Sequence, residues 1–171
     1  MTRIPMGGFN PSPSPKLYGA LPAAYMSMGL TAEHLCKQFD IPRKAQEAFT
    51  LASHQKAAKA DLRKEIVPIP TKGGEVVKDG CIRAETTLEA MAGLAPAFDA
   101  NGTVTAATSA PVTDGAAAVI VASEDYADRY GLTKLARIKS IAVAGLAPEL
   151  MGMGPVDASR KALDRAGISV G

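Results

Sequence analysis

The stretch GTVTAATSAPVTDGAAAVIVAS, residues 102–123, decides how the rest of the chain is read. Thr103, Val104 and Thr105 predict an extended strand, because β-branched side chains fit a pleated surface. After the turn signal Thr113-Asp114-Gly115, residues Ala116 to Ala122 form a continuous apolar run instead of an alternating one. That pattern predicts a strand covered on both faces, the core strand of a layered α/β protein. Between the two extended pieces, Ala106 to Pro111 presents only small side chains and two hydroxyls. A thin ligand can lie close to the backbone there, and the scarcity of charge suits an amide-bearing, mostly apolar arm.

Working outward from this stretch, the chain of 171 residues is long enough for a globular domain with a real core. Aliphatic residues must build that core, since tryptophan is absent and aromatics make up 5%. A net charge of +2, with Lys and Arg scattered among 17 acids, gives no reason to invoke nucleic acid and leaves room for a small anionic ligand. No apolar run approaches the roughly 18 to 20 residues that span a bilayer. Met1 and Arg3 lead into no apolar signal core, so the expectation is a soluble protein of the cytoplasm or an organelle lumen. Cys36 and Cys81 have no CxxC spacing, and we read both as reduced structural residues.

Toward the N-terminus, Asn10-Pro11-Ser12-Pro13-Ser14-Pro15 predicts a surface loop over residues 7–25, either a stiff connector or a ligand for a proline-binding module. Ala32, Leu35, Cys36 and Phe39 recur at helical spacing, with Thr31 as cap and Glu33 in the first turn. A second helix is expected from Pro42 to about Lys59, with Ala45, Ala48, Phe49 and Ala52 inward and His54 on the other side. His34 and His54 lack metal partners at a ligand spacing and read as surface or helix-end residues.

Two short strands, 66–69 and 75–78, flank a hairpin loop at Thr71-Lys72-Gly73-Gly74. Thr86 and Glu89 form a capping box for a third helix, with Leu88, Met91 and Ala95 on one face and Pro96 as its stop. Arg83, just upstream, is either a solvated charge or a phosphate contact, for which a planar guanidinium and a helix N-terminus are suited. Past the organising stretch, Ser123 caps a short helix closed by Gly131, and Ala136 to Ala144 reads as another strand. Residues 145–155 form a loop, and Pro155 opens a final helix that Gly167 ends. Met26-Ser27-Met28 and Met151-Gly152-Met153 either line an adaptable apolar slot or pack internally.

The order of these motifs resembles the thiolases over nearly the whole chain. Gly102-Thr103-Val104-Thr105-Ala106 followed by Thr113-Asp114-Gly115-Ala116-Ala117 is similar to their GTVTAxNSSxxxDGAA signature. Thr86 to Glu89, Pro96-Ala97-Phe98, Met151 to Val156 and Ser159 to Leu163 agree in order. The resemblance implies the central part of a layered αβαβα fold: residues 1–101 as the inserted loop domain that binds coenzyme A, 102–131 as the end of the N-terminal half, and 132–171 as the start of the C-terminal half.

The resemblance also implies acyl transfer between acetyl-CoA and 3-ketoacyl-CoA, with coenzyme A or acyl-CoA as substrate and no permanently bound cofactor. Such chemistry needs an activated thiolate, a second acid/base and an oxyanion site. Met1 to Gly8 resembles the segment after the family's GGxESM motif, and Ala166-Gly167-Ile168 the last helix before its NEAF, GHP and CxGGG motifs. The catalytic cysteines and histidine are therefore expected outside these residues, and neither Cys36 nor Cys81 falls at a catalytic position.

Carried over singly, Arg83 matches the arginine that contacts the nucleotide, and Ser27 and Met28 the segment beside the pantetheine and acyl group. Ala97 and Phe98 match the tunnel wall, and Ala106, Ala110 and Val112 other lining positions. Ala110 stands where many members place a serine that bonds the pantetheine, and Thr108 replaces an asparagine. One such lost bond weakens binding by roughly 0.5–1.5 kcal/mol unless water substitutes. Ser109 is adjacent, but in a strand its side chain points the other way. Acyl-CoA is the expected ligand and a second copy or complementary thiolase segments the expected partner, with neither nucleic acid nor membrane. A non-catalytic CoA-binding module and an interaction subunit are the alternatives.

Overall fold

Four serine and threonine hydroxyls start helices in this chain. In a computed structural model that describes residues 8–170, Ser14 opens α1, Pro15–Ala20, with Pro15 in the first turn. A 3-10 turn, Pro22–Tyr25, follows. Ser27 opens α2, Met28–Gln38, where its Oγ accepts the Leu30 N–H at 3.3 Å. Next come α3, Arg43–Lys59, and a hairpin of β1, Ile69–Thr71, with β2, Gly74–Val76. Thr87 caps α4, Leu88–Ala92, and Ser123 caps α5, Glu124–Arg129. A 3-10 segment, Pro148–Met153, leads into α6, Gly154–Ala166. Each cap accepts an N–H that the first helical turn cannot otherwise satisfy.

The chain divides into two compact units, Met26–Val112 and Met1–Tyr25 with Thr113–Gly171. In the first, β1 and β2 pair antiparallel with Ile69 opposite Val76 and Thr71 opposite Gly74, as the hairpin signal predicts but with shifted ends. Its interior is more polar than the sequence suggests. Met91 and Val104 are buried, and so are Thr31, Glu33, Glu47 and Thr105. Arg43 bonds Glu47 at 2.7 Å and donates to the carbonyls of Met91, Ala92 and Leu94, closing the C-terminal end of α4 from α3. Gln46 on the same helix donates to Thr103 Oγ1 at 2.9 Å.

Several expectations are corrected. The proline-rich loop contains a helix, because Pro at the first helical position gives up only an N–H that has no intrahelical partner. Thr31 does not cap α2; it is buried inside the helix and its hydroxyl donates to Met28 O at 2.8 Å. Thr87, not Thr86, caps α4, and of the face expected to be inward only Met91 is buried. On α3 the inward face is polar: Glu47 is buried, whereas Phe49 is 77% exposed and Ala45 and Ala48 are exposed with it. Apolar spacing misleads there because Arg43 and Gln46 have partners on the neighbouring segments and Arg43 also pairs with Glu47 along the helix.

The expected strands at Ala116 to Ala122 and Ala136 to Ala144 do not form ladders; neither is a strand among the described residues. Val119 and Ile120 are each 87% exposed. An apolar run encodes what should cover a strand, while a ladder also needs a neighbour whose N–H and C=O groups face it. Residues 136–144 are instead tied to α6 through side chains, Ser140 Oγ donating to Ala162 O and Arg165 to Ile141 O. Thr103 to Thr105 forms only an isolated bridge, Thr105 to Pro96. The expected loop at 145–155 holds the 3-10 segment. The helix-end signals agree: Gly131 and Gly167 take the left-handed conformation, at φ 62° and 67°, past the ends of α5 and α6.

Candidate functional site

Ser27 and Met28 sit at the first turn of α2, because the Ser27 hydroxyl starts that helix; both are exposed. One residue on, Gly29 lets the Phe98 ring lie directly on the helix, since a Cβ there would run into the ring carbons. Ala97 N–H donates to Val104 O at 2.9 Å, and Pro96 bridges Thr105. The Pro96-Ala97-Phe98 segment is thus stitched to the Thr103-Val104-Thr105 segment and seated on α2. Ala106 follows directly and is exposed.

Past Thr105 the backbone turns. Thr108 Oγ1 accepts the Thr105 N–H at 2.9 Å, and Ser109 Oγ donates to Thr105 O at 2.9 Å. Both hydroxyls are therefore engaged by the turn. The strand argument for the direction of Ser109 gives way to this one: its hydroxyl is committed to the backbone four residues earlier. Thr105 Oγ1 is buried without a hydrogen-bond partner among the described residues.

Lys37, on α2, meets Asp99 at 3.0 Å. The Asn101 N–H and then Lys37 hold the Asp99 carboxyl below its ordinary range, and the bond to Asp99 raises the lysine. Both groups are solvated, so the pair is a weak tie.

Arg83 is exposed, and the structure holds it by its backbone. Its N–H donates to His54 Nδ1 at 3.2 Å and its carbonyl accepts from Thr86 N–H at 3.2 Å. His54, read from sequence as a surface residue, thus anchors the loop that carries Arg83. Among the described residues no hydrogen bond or ion pair engages the guanidinium, and none joins Arg83, Ala110 or Val112 to Ser27, Met28, Ala97 or Phe98. Val112 is 89% exposed.

Cys36 lies within 3.3 Å of the Gln46 amide, and the Cys81 N–H donates to Asp79 at 2.7 Å. No cluster of three His, Cys, Asp or Glu suited to a metal occurs among the described residues, and no helix there is long and apolar enough to cross a membrane. Two grooves, one along α6 beside Val156 and Leu163 and one on α3 beside Phe49 and Lys56, include none of the carried-over residues.

Sequence reasoning missed Glu33. Read as a first-turn charge, it is 3% exposed and accepts the backbone N–H groups of Thr103 and Val104. No local signal announces such a role, because a glutamate in a helix is ordinarily solvated.

Residues 19–125 match the family model described as the thiolase N-terminal domain. The 3-ketoacyl-CoA thiolase of Aliivibrio fischeri is 51% identical over 153 aligned positions, which cover 84% of this chain and 40% of that protein. The 3-ketoacyl-CoA thiolase of Bacillus subtilis is 41% identical over 187 aligned positions, covering 99% and 48%. Among solved structures, human mitochondrial 3-ketoacyl-CoA thiolase in complex with CoA superposes with a TM-score of 0.82 at 38% identity, over 90% of this chain and 40% of that one. The Bacillus anthracis acetyl-CoA acetyltransferase superposes with a TM-score of 0.80 at 38% identity, over 95% and 45%. The chain spans less than half the length of these relatives. Motif order, sequence identity and backbone path agree, and the chain belongs to the thiolase family, with a thiolase-like α/β fold.

Proposed function

We propose that the chain supplies the coenzyme A site of a thiolase that transfers acyl groups between acetyl-CoA and 3-ketoacyl-CoA, by thiolytic cleavage or by condensation. In this reading residues 26–112 hold the ligand. Arg83 meets a phosphate of the nucleotide, and Ser27, Met28, Ala97, Phe98, Ala106, Ala110 and Val112 line the path of the pantetheine and acyl group. The observation that carries the reading is the assembly on α2: the Ser27-Met28 turn, the Phe98 ring on Gly29 and the bridge from Pro96 to Thr105 bring three separated motifs onto one helix. The likeness to a human thiolase in complex with CoA supports the choice of ligand.

The nucleophilic cysteine, the histidine and the oxyanion donors implied by the family are not recognisable among residues 1–171. Catalysis on this reading requires further thiolase segments, and the chain alone is inactive. The exposed apolar run at 116–122 supports assembly, either with such segments or with a second copy. We assign the protein to the cytoplasm, an organelle lumen being the alternative.

The domain limits follow the same reading, with 1–101 as loop domain, 102–131 closing one half and 132–171 opening the other. Calorimetric titration with coenzyme A tests it, beside Arg83→Glu. The expected result is saturable binding that the charge reversal weakens about tenfold or more. A folded chain that takes up no coenzyme, or one whose affinity the charge reversal leaves unchanged, would sink the assignment.

A further inference from the structure

Glu33 lies on α2, between the Ser27-Met28 turn and Lys37, and reaches the segment that precedes Ala106. Its Oε1 accepts the N–H of Thr103 at 2.9 Å and of Val104 at 2.7 Å. Its Oε2 accepts from Thr103 N–H at 3.0 Å and Thr103 Oγ1 at 3.4 Å. A carboxylate buried to this degree is costly unless its oxygens are bonded, and here backbone donors satisfy it. Gly102 completes the fit: a Cβ at that position would run into the Glu33 carboxylate.

The consequence reaches beyond the two amides. Val104 O holds Ala97 N–H, and Thr105 bridges Pro96 and anchors the turn through Thr108 and Ser109. Moving residues 103–104 therefore moves both the Phe98 segment and the Ala106 to Ala110 segment relative to the start of α2. Arg83 is fastened by a different contact, its N–H to His54 on α3, two turns along from the Gln46 that holds the Thr103 hydroxyl.

We propose that Glu33 is a positioning residue that fixes the wall facing the pantetheine arm, and so controls affinity for that arm without affecting the nucleotide end. This rests on the coenzyme A reading above. Glu33 acts through the Thr103 and Val104 backbone.

The test is titration of the full chain with coenzyme A and, separately, with adenosine 3′,5′-bisphosphate, which lacks the arm. Glu33→Ala removes the acceptors, and Glu33→Asp keeps the charge but is too short to reach both amides. Each is expected to weaken coenzyme A about tenfold while leaving the bisphosphate within about twofold. Glu33→Gln keeps one oxygen that can accept both N–H groups and gives up only the second, longer bonds that Oε2 accepts from Thr103. It should restore coenzyme A binding to within about threefold of wild type.

Unchanged coenzyme A affinity in the Ala or Asp variant, or parallel loss of both ligands, overturns the role. Should the Ala variant not fold, the Asp variant decides. Amide exchange at unprotected rates for Thr103 and Val104 in the wild type overturns it without any variant. A wild-type chain that binds neither ligand removes the coenzyme A reading and this inference together; one that binds coenzyme A no more tightly than the Ala and Asp variants do removes the inference alone.

Discussion

Residues 26–112 and residues 113–170 are similarly rich in apolar residues but make different use of them. In the first region the buried set is partly polar, with Glu33 satisfied by the backbone of Thr103 and Val104 and Glu47 by Arg43 one turn earlier on α3. In the second, Val119, Ile120 and Val121 form an apolar run that nothing among the described residues of that unit covers. Side chain-to-backbone bonds close the first region within its own sequence, whereas the second contains a strand pattern without a ladder. Hydrophobic pattern alone therefore ranks the two regions in the wrong order of self-sufficiency.

The largest test of this contrast pairs Arg43→Ala with Ile120→Ala. The first removes donors from three carbonyls and leaves Glu47 buried without its cation, at an expected cost of about 3 kcal/mol. The second truncates a residue that normally costs about 2–5 kcal/mol in a core. Exposed as it is here, its loss should change the stability of the unassembled chain by less than about 0.5 kcal/mol. Denaturant midpoints read both. An Ile120 variant as destabilised as the Arg43 variant would show that the run is buried in solution, by assembly or by a ladder.

A smaller effect comes from two glycines. Gly102→Ala drives a methyl group into the Glu33 carboxylate and is expected to cost about 1–3 kcal/mol. Gly115→Ala meets nothing within 4 Å and should be neutral, or stabilise by up to about 1 kcal/mol through the unfolded chain. Thermal melts of the two variants sharpen the comparison, since the substitution is the same and only the surroundings differ. Equal shifts would mean that the Glu33 contact is looser than the geometry implies.

The readable parts of the sequence were those whose hydrogen bonds close within a few residues. Ser123, Gly131 and Gly167 announce helix ends, and Lys72-Gly73 a hairpin, because each signal is satisfied locally. Pro15 misleads because its chemistry forbids a helix interior but not a helix start. The polar clamps were illegible: Glu33 finds Val104 across 71 positions, and nothing near either residue marks the pair. The motif resemblance names Ser27-Met28, Ala97-Phe98 and Ala106, and the segments that carry them meet at α2. It did not reveal that Gly29 and Glu33 seat two of those segments on one helix.

The smallest effect expected concerns pH. Asp99 follows Phe98 and ties that segment to α2 through Lys37, while the Asn101 N–H bonds the same carboxyl. Both partners hold its pKa below the ordinary carboxylate value of 3.8, the amide contributing more. A lowered folded-state pKa means that the stabilisation is fully present well above 3.8 and is lost as the pH falls through the lowered value, because the unfolded chain binds the proton first. Asp99→Asn removes the titrating group, so the gap in melting temperature between wild type and variant should be widest near neutral pH and close in acid. Because the pair is solvated, high salt should narrow the part of that gap due to Lys37, and leave the part due to the amide. A gap that widened as the pH fell would reverse the sign of the linkage and show that Asp99 is strained, not stabilised, where it joins the Phe98 segment to α2.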